Sequence, residues 1–234
     1  MMVVMPESAP LVALAFLTAC GAILISFAIL GYSLLTRNQR RIAWTAAAIA
    51  GGISLYAGLL IGFSLISRTR VLGTEELKYF CELDCHLAYS VREVSTVKTL
   101  GDPAHALTAN GLFYLVKIRT WFDERTISPR RGNGLLSPNP RRVSIIDADG
   151  REYSPSPEGL RTLSLLQQGG TPLTQMLRPG ESYETVLPFD LPNNIRNPQL
   201  FLTDADWVGH FLIGHELSPL HSKVLFQLTP HRTD

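Results

Sequence analysis

The sequence predicts two transmembrane α-helices followed by an all-β antiparallel sandwich. Three observations lead there. Between Leu11 and Ile66 the only charged residues are Arg37, Arg40 and Arg41. Charges become frequent from Ser67 onward. Beyond residue 87 the apolar residues alternate in short runs separated by Gly, Pro, Asn and Asp, the pattern of strands joined by turns.

Residues 1–10 form a short N-terminal segment without Lys or Arg. Leu11–Leu35 is uncharged and longer than the roughly 20 residues that span a bilayer. It is too long for the apolar part of a signal peptide. Residues 43–66 form a second span, and residues 36–42 connect the two. Three arginines in Arg37–Arg41 place that connector in the cytoplasm under the positive-inside rule, so both termini lie outside. Tyr32 and Trp44 fall where interfacial aromatics are expected. Gly58 and Gly62 have the small-x3-small spacing that lets helices approach closely, read here as packing of the second span on the first. Cys20, among Ala19, Gly21 and Ala22, reads as a small apolar residue.

Residues 67–86 read as a juxtamembrane linker and residues 87–230 as the β domain, whose roughly 150 residues can bury a core of their own. Leu87–Val97 alternates as a first strand. Gly111 opens the strongest strand, Leu112–Phe122, with Tyr114, Val116, Ile118 and Phe122 on the core face. Asp149-Gly150 signals a hairpin turn after Val143–Ile146. A short helix is expected around Leu160–Gln168, ended by Gly169-Gly170. The Pro179-Gly180 turn feeds a strand through Tyr183, Thr185, Leu187, Phe189 and Leu191. Gln199–Leu202 and Val224–Leu228 complete the set. About seven short strands with turns between them make an antiparallel sandwich. No nucleotide-binding or hydrolase motif occurs.

The long Phe113–Phe122 strand, then Asp147-Ala148-Asp149-Gly150, then Leu177-Arg178-Pro179-Gly180-Glu181-Ser182-Tyr183 resembles the Ig-like domains of bacterial surface proteins in the DUF4352 class. The likeness covers roughly Leu87–Pro230. It implies an Ig-like sandwich outside the cytoplasm of a bacterial cell. The helical hairpin read above would anchor it to the inner membrane, where that class usually has a single lipid anchor.

The linker holds Cys81-x3-Cys85-His86, two of the chain's three cysteines in six residues. Three uses stay open. In an irregular turn the cysteines could close a disulfide, as an oxidising compartment favours. On a helix their Cβ atoms would stand roughly 5–6 Å apart, too far for a relaxed bridge. Two thiolates and an imidazole suit copper. The pattern is similar to subunit two of cytochrome oxidase, which has two membrane helices, an outer β domain and a Cys-x3-Cys copper motif, although here the cysteines precede the first strand. Cys-x3-Cys-His is also an uncommon variant of the haem attachment sequence. In an Ig-like sandwich the start of the first strand and the loop entering the last lie at one end. That topology would bring Cys85 and His86 near His215 and His221, with Asp204 and Asp206 available to orient an imidazole or cap a turn.

Arg125, Arg130, Arg131, Arg141 and Arg142 flank the loop 128–140 and read as solvated. A net charge of +1 speaks against a nucleic-acid binder driven by bulk electrostatics. No spaced pair of acids and no distinguishable Ser/His/Asp set points to an enzyme. The expectation is a non-enzymatic accessory protein that binds a membrane or envelope partner, with a copper or haem protein as the alternative.

Overall fold

A computed structural model describes residues 3–4, 9–80, 86–102, 106–128 and 130–232. Two long apolar helices are followed by a β-rich domain of mainly antiparallel sheets. The chain forms two compact units. One comprises Met1–Glu7, Thr69–Asp206 and Val224–Asp234; the other comprises Ser8–Arg68 and Trp207–Lys223.

In the helical unit, α1 (Ala9–Leu35) and α2 (Gln39–Ile66) are both long and apolar enough to cross a membrane. The turn between them is tighter than the sequence suggested. Asn38 accepts a hydrogen bond from the Arg41 N–H at 3.2 Å and caps α2, which draws Arg40 and Arg41 into the helix. Ser33 and Ser64 are buried and donate their hydroxyls to Ile29 O and Leu60 O, so neither polar group is left unsatisfied. Gly58 and Gly62 do not pack on α1: a Cβ added at either would meet no described atom within 4 Å.

The β unit contains two sheets. Along the first lie β1 (Val3–Val4), β3 (Leu77–Phe80), β4 (Leu87–Leu100), β5 (Leu107–Phe122) and β8 (Ser182–Leu191), with β11 (His231–Arg232) also paired to β4. The second runs β2 (Arg70–Leu72), β10 (Val224–Gln227), β9 (Gln199–Asp204), β6 (Arg141–Ile146), β7 (Glu152–Tyr153). The long pairs are antiparallel, whereas β1–β3, β2–β10 and β11–β4 are parallel. One buried cluster joins the two sheets, with Tyr89, Val116, Phe122 and Phe189 from the first and Leu72, Ile145, Leu200 and Phe226 from the second. Period-two alternation explains this directly: Tyr114, Val116, Ile118 and Phe122 all lie in that cluster. On the other face of the first sheet α3 (Pro157–Leu165) adds Leu163 to a smaller cluster with Leu100, Ala109 and Phe113. Ser156 caps that helix through the Gly159 N–H.

Two sequence expectations change. The stretch 67–86, expected as a linker, carries β2 and β3, so its residues 70–72 and 77–80 belong to the two sheets. All four β3 residues are buried: Leu77 and Tyr79 pack with Ala88 and Trp121, while Phe80 enters the shared core. Gly111 does not open β5 but lies within it. There a Cβ would stand 1.9 Å from Leu191 O, so the close approach of β5 and β8 requires glycine.

Candidate functional site

Phe80 at the end of β3 is paired with Leu87 at the start of β4, so the connection between them is residues 81–86. Cys81 and Cys85 lie outside the described residues, and the disulfide, copper and haem readings at those positions lie outside them too. His86 is described and is 4% exposed. Its ring stacks on Phe122 with centroids 5.7 Å apart, and its carbonyl accepts from the Asp123 N–H at 2.9 Å. Its Nδ1 lies 2.7 Å from Thr126 Oγ1. The Thr126 hydroxyl already donates to Asp123 O, so it accepts from His86, which assigns the proton to Nδ1 and makes Nε2 the acceptor of the neutral ring.

Beside His86, the chain leaving β5 builds a carboxylate centre. Asp123 Oδ1 accepts from the Arg125 N–H and Nε, and Oδ2 from Arg125 Nη2 and the Tyr79 hydroxyl. Burial alone pushes the Asp123 carboxyl up; the hydrogen bonds from Arg125, Tyr79 and the Arg125 N–H outweigh it and hold it below the usual carboxylate range. Burial, joined by the bond to Asp123, pushes Tyr79 up to about 12.

The signs for stability follow from these directions. The Asp123 contribution is present above the ordinary carboxylate pKa and is lost as pH falls through the lowered folded value. The Tyr79 contribution is present below its unfolded value of 10.0 and is lost as pH rises toward about 12. Urea midpoints of the full-length protein across pH are expected to show both limbs. Asp123→Asn should flatten the acid limb. Tyr79→Phe should reduce the alkaline one, leaving the share of Tyr183, also pushed up to about 12 mainly by burial. An acid limb unchanged in Asp123→Asn would mean that this carboxyl titrates normally.

On the core side of the same hairpin two cations are buried. Lys78 is 4% exposed and donates to Leu202 O at 2.5 Å and to Val224 O at 3.3 Å. Its ammonium also lies 5.0 Å from the Phe80 ring centre and 5.5 Å from that of Phe201. The Arg141 side chain is 0% exposed and paired with Asp204. Its guanidinium sits 4.2 Å from the Phe80 ring centre and 5.5 Å from that of Tyr89. Lys78 thus ties β3 to the strands of the opposite sheet, and Arg141 fills the space between the Phe80 and Tyr89 rings.

Arg141 is therefore not the solvated loop residue expected from the sequence. It precedes Val143 and Ile145 on the inward face of β6. Asp204 serves this ion pair rather than an imidazole. No sequence signal gave Lys78, Tyr79 or Asp123 a role of its own, and the Leu77/Tyr79 alternation was the one signal that could have revealed β3.

His215 and His221 belong to the other unit, in the loop Trp207–Lys223. His215 Nδ1 accepts from the Leu217 N–H at 3.1 Å, and His221 Nδ1 donates to Ser222 O at 2.7 Å. Among the described residues no three His, Cys, Asp or Glu side chains gather as metal ligands. Clefts of about 640 Å³, lined by Gly170, Thr171, Met176, Glu181 and Tyr183 among others, and about 350 Å³, around Asn110, Tyr153, Asp190 and Asn193, open elsewhere on the β unit.

No family model matches the chain and no curated protein matches it. Among solved structures, MPT63, a secreted protein from Mycobacterium tuberculosis, is similar at a TM-score of 0.41 and 13% identity, over 70% of this chain and 100% of that one. The yjhA protein from Bacillus subtilis gives 0.39 and 16%, over 68% and 99%. A conserved hypothetical protein from Bacillus anthracis gives 0.37 and 11%, over 50% and 82%. These likenesses are too distant to carry function, and the architecture above stands on its own strand pairing.

Proposed function

We propose that this chain is a bacterial inner-membrane protein whose α1–α2 hairpin crosses the bilayer twice and holds an Ig-like sandwich of the DUF4352 kind outside the cytoplasm. There it serves as a non-enzymatic accessory module that binds a membrane or envelope protein. The observation that carries this reading is the pairing of β1 with β3, Val3 with Leu77 and Val4 with Lys78. Residues before the first helix and residues after the second share one sheet, so the chain must end the hairpin on the side where it began. The arginines of the turn support that side being the outer one. Lys78, Arg141 and Asp123, which flank the 81–86 connection, are engaged by groups of the fold itself, in keeping with a structural rather than a catalytic use.

Right-side-out membrane vesicles test the topology. With Cys20, Cys81 and Cys85 replaced by serine, a membrane-impermeant maleimide should label Glu181→Cys in intact vesicles and Gln39→Cys only after permeabilisation. Labelling of Gln39→Cys alone in intact vesicles would invert the orientation. Equal labelling of both would remove the crossing.

A further inference from the structure

The loop between β9 and β10, residues Trp207–Lys223, folds with the two long helices and not with the sheets. Two anchors hold it there. The Tyr56 hydroxyl of α2 donates to Phe211 O at 2.6 Å. The Ser222 N–H donates to Ser67 Oγ at 2.8 Å, and Ser222 Oγ to Ser67 O at 3.2 Å. Eleven positions separate Tyr56 from Ser67, and eleven separate Phe211 from Ser222, so the loop runs beside the last turns of α2.

The depth of the first anchor decides what surrounds the loop. Tyr56 lies ten residues inside the end of α2 at Ile66, about 15 Å along the axis. Its side chain leans toward the N-terminus of the helix, away from that end, so the hydroxyl is no shallower than the residue. The argument rests on the transmembrane reading of α2. On that reading, one leaflet of hydrocarbon is about 15 Å thick and the apolar run 43–66 exceeds the whole core by about 6 Å. Phe211 O then stands about 9–15 Å beneath the outer hydrocarbon boundary.

We propose that Trp207–Leu220 is a re-entrant wedge seated among the acyl chains of the outer leaflet, making this loop a lipid-binding element. Its composition suits the site. Beside three histidines, Glu216 and Lys223 are the only Asp, Glu, Lys or Arg in the seventeen positions Trp207–Lys223. Trp207 and Leu220, each 71% exposed, and Phe211 present apolar surface outward. Irregular backbone survives at membrane depth where protein groups satisfy it, and several of this loop's backbone groups are satisfied in this way. Leu212, His215, Ser218 and His221 each donate their N–H three residues back, to the carbonyls of Gly209, Leu212, His215 and Ser218. Tyr56 supplies the bond to Phe211 O. The imidazoles also bond within the loop, His210 Nδ1 to Trp207 O and His215 Nδ1 from the Leu217 N–H.

The test uses full-length protein in lipid nanodiscs, lacking its native cysteines and carrying one nitroxide. The label at Phe211→Cys is compared with Leu24→Cys in α1 and Glu181→Cys in the β domain. The ratio of collision rates with oxygen and with a water-soluble nickel chelate should match at Phe211→Cys and Leu24→Cys and exceed that at Glu181→Cys. A Phe211→Cys label as aqueous as Glu181→Cys, with Leu24→Cys still in hydrocarbon, overturns the wedge and spares the membrane hairpin. An aqueous Leu24→Cys label overturns the hairpin itself and the wedge with it. A second measurement keeps all native cysteines and makes Phe211→Trp the sole tryptophan, with Trp44, Trp121 and Trp207 changed to Phe. Acyl-brominated lipid should then remove more than about half of its emission, since no water layer separates it from the chains; unchanged emission overturns the proposal.

Discussion

Arg141→Ala is expected to lower the unfolding free energy of the β domain by about 3–5 kcal/mol, the cost of breaking a buried pair and stranding its partner. The guanidinium is fully enclosed, paired with Asp204 and stacked over Phe80. Its neighbour supplies the control. Arg142 pairs with Glu152 at 2.8 Å, but its side chain is 61% exposed, so Arg142→Ala should cost less than about 1 kcal/mol. Urea titrations of the full-length protein in detergent, followed by near-ultraviolet circular dichroism, compare the two. Arg141→Met with Asp204→Asn should recover much of the loss, because both charges leave the interior together. Equal costs for Arg141→Ala and Arg142→Ala would mean that the buried ion pair does not hold the hairpin.

Gly111→Ala is expected to cost about 3 kcal/mol, at the upper end of overpacking effects. The new Cβ would meet a main-chain oxygen, Leu191 O, and also lie 2.9 Å from Pro192 Cα, so no flexible side chain can yield. β5 and β8 must separate there. The Asp190 carboxylate, which accepts from the Asn110 and Gly111 N–H groups at 2.9 and 3.0 Å, would then lose both. Amide exchange at those two positions should rise along with the fall in the urea midpoint. Protection that persists would show that the strands absorb the methyl without parting.

What the sequence revealed and what it hid divide along a physical line. β5 and β8 were legible because period-two alternation over ten or more residues follows from having one buried face, which the chain writes locally. The helices were legible because an uncharged apolar run longer than about 20 residues is just as local a signal. β1, β2 and β11 have two or three residues each and are held by parallel partners distant in sequence, so no local pattern announces them. β3 was masked by Lys78, whose charge breaks an otherwise apolar run. Arg141 misled in the same way: its burial depends on β6 lying beside β9, which puts Asp204 opposite it, and on the rings of Phe80 and Tyr89. In the sequence the 81–86 connection is marked by its two cysteines and His86. The ionic groups that flank it come from β3, β6, β9 and the turn after β5, and nothing in any one segment foretells their meeting.

The pairing of β2 and β3 with the rest of the sheets has a consequence for modularity. A fragment beginning at Leu87 would match the domain that the sequence suggests, yet it would lack three strands, β1, β2 and β3. β10 and β4 would each lose a neighbour, and bare edges of this kind recruit other chains. The segment that follows the second helix is woven into the β domain itself. That domain is therefore not a cassette to be moved from one pair of helices to another, and a protease clipping just before β4 would leave a sticky remnant in place of a self-contained product.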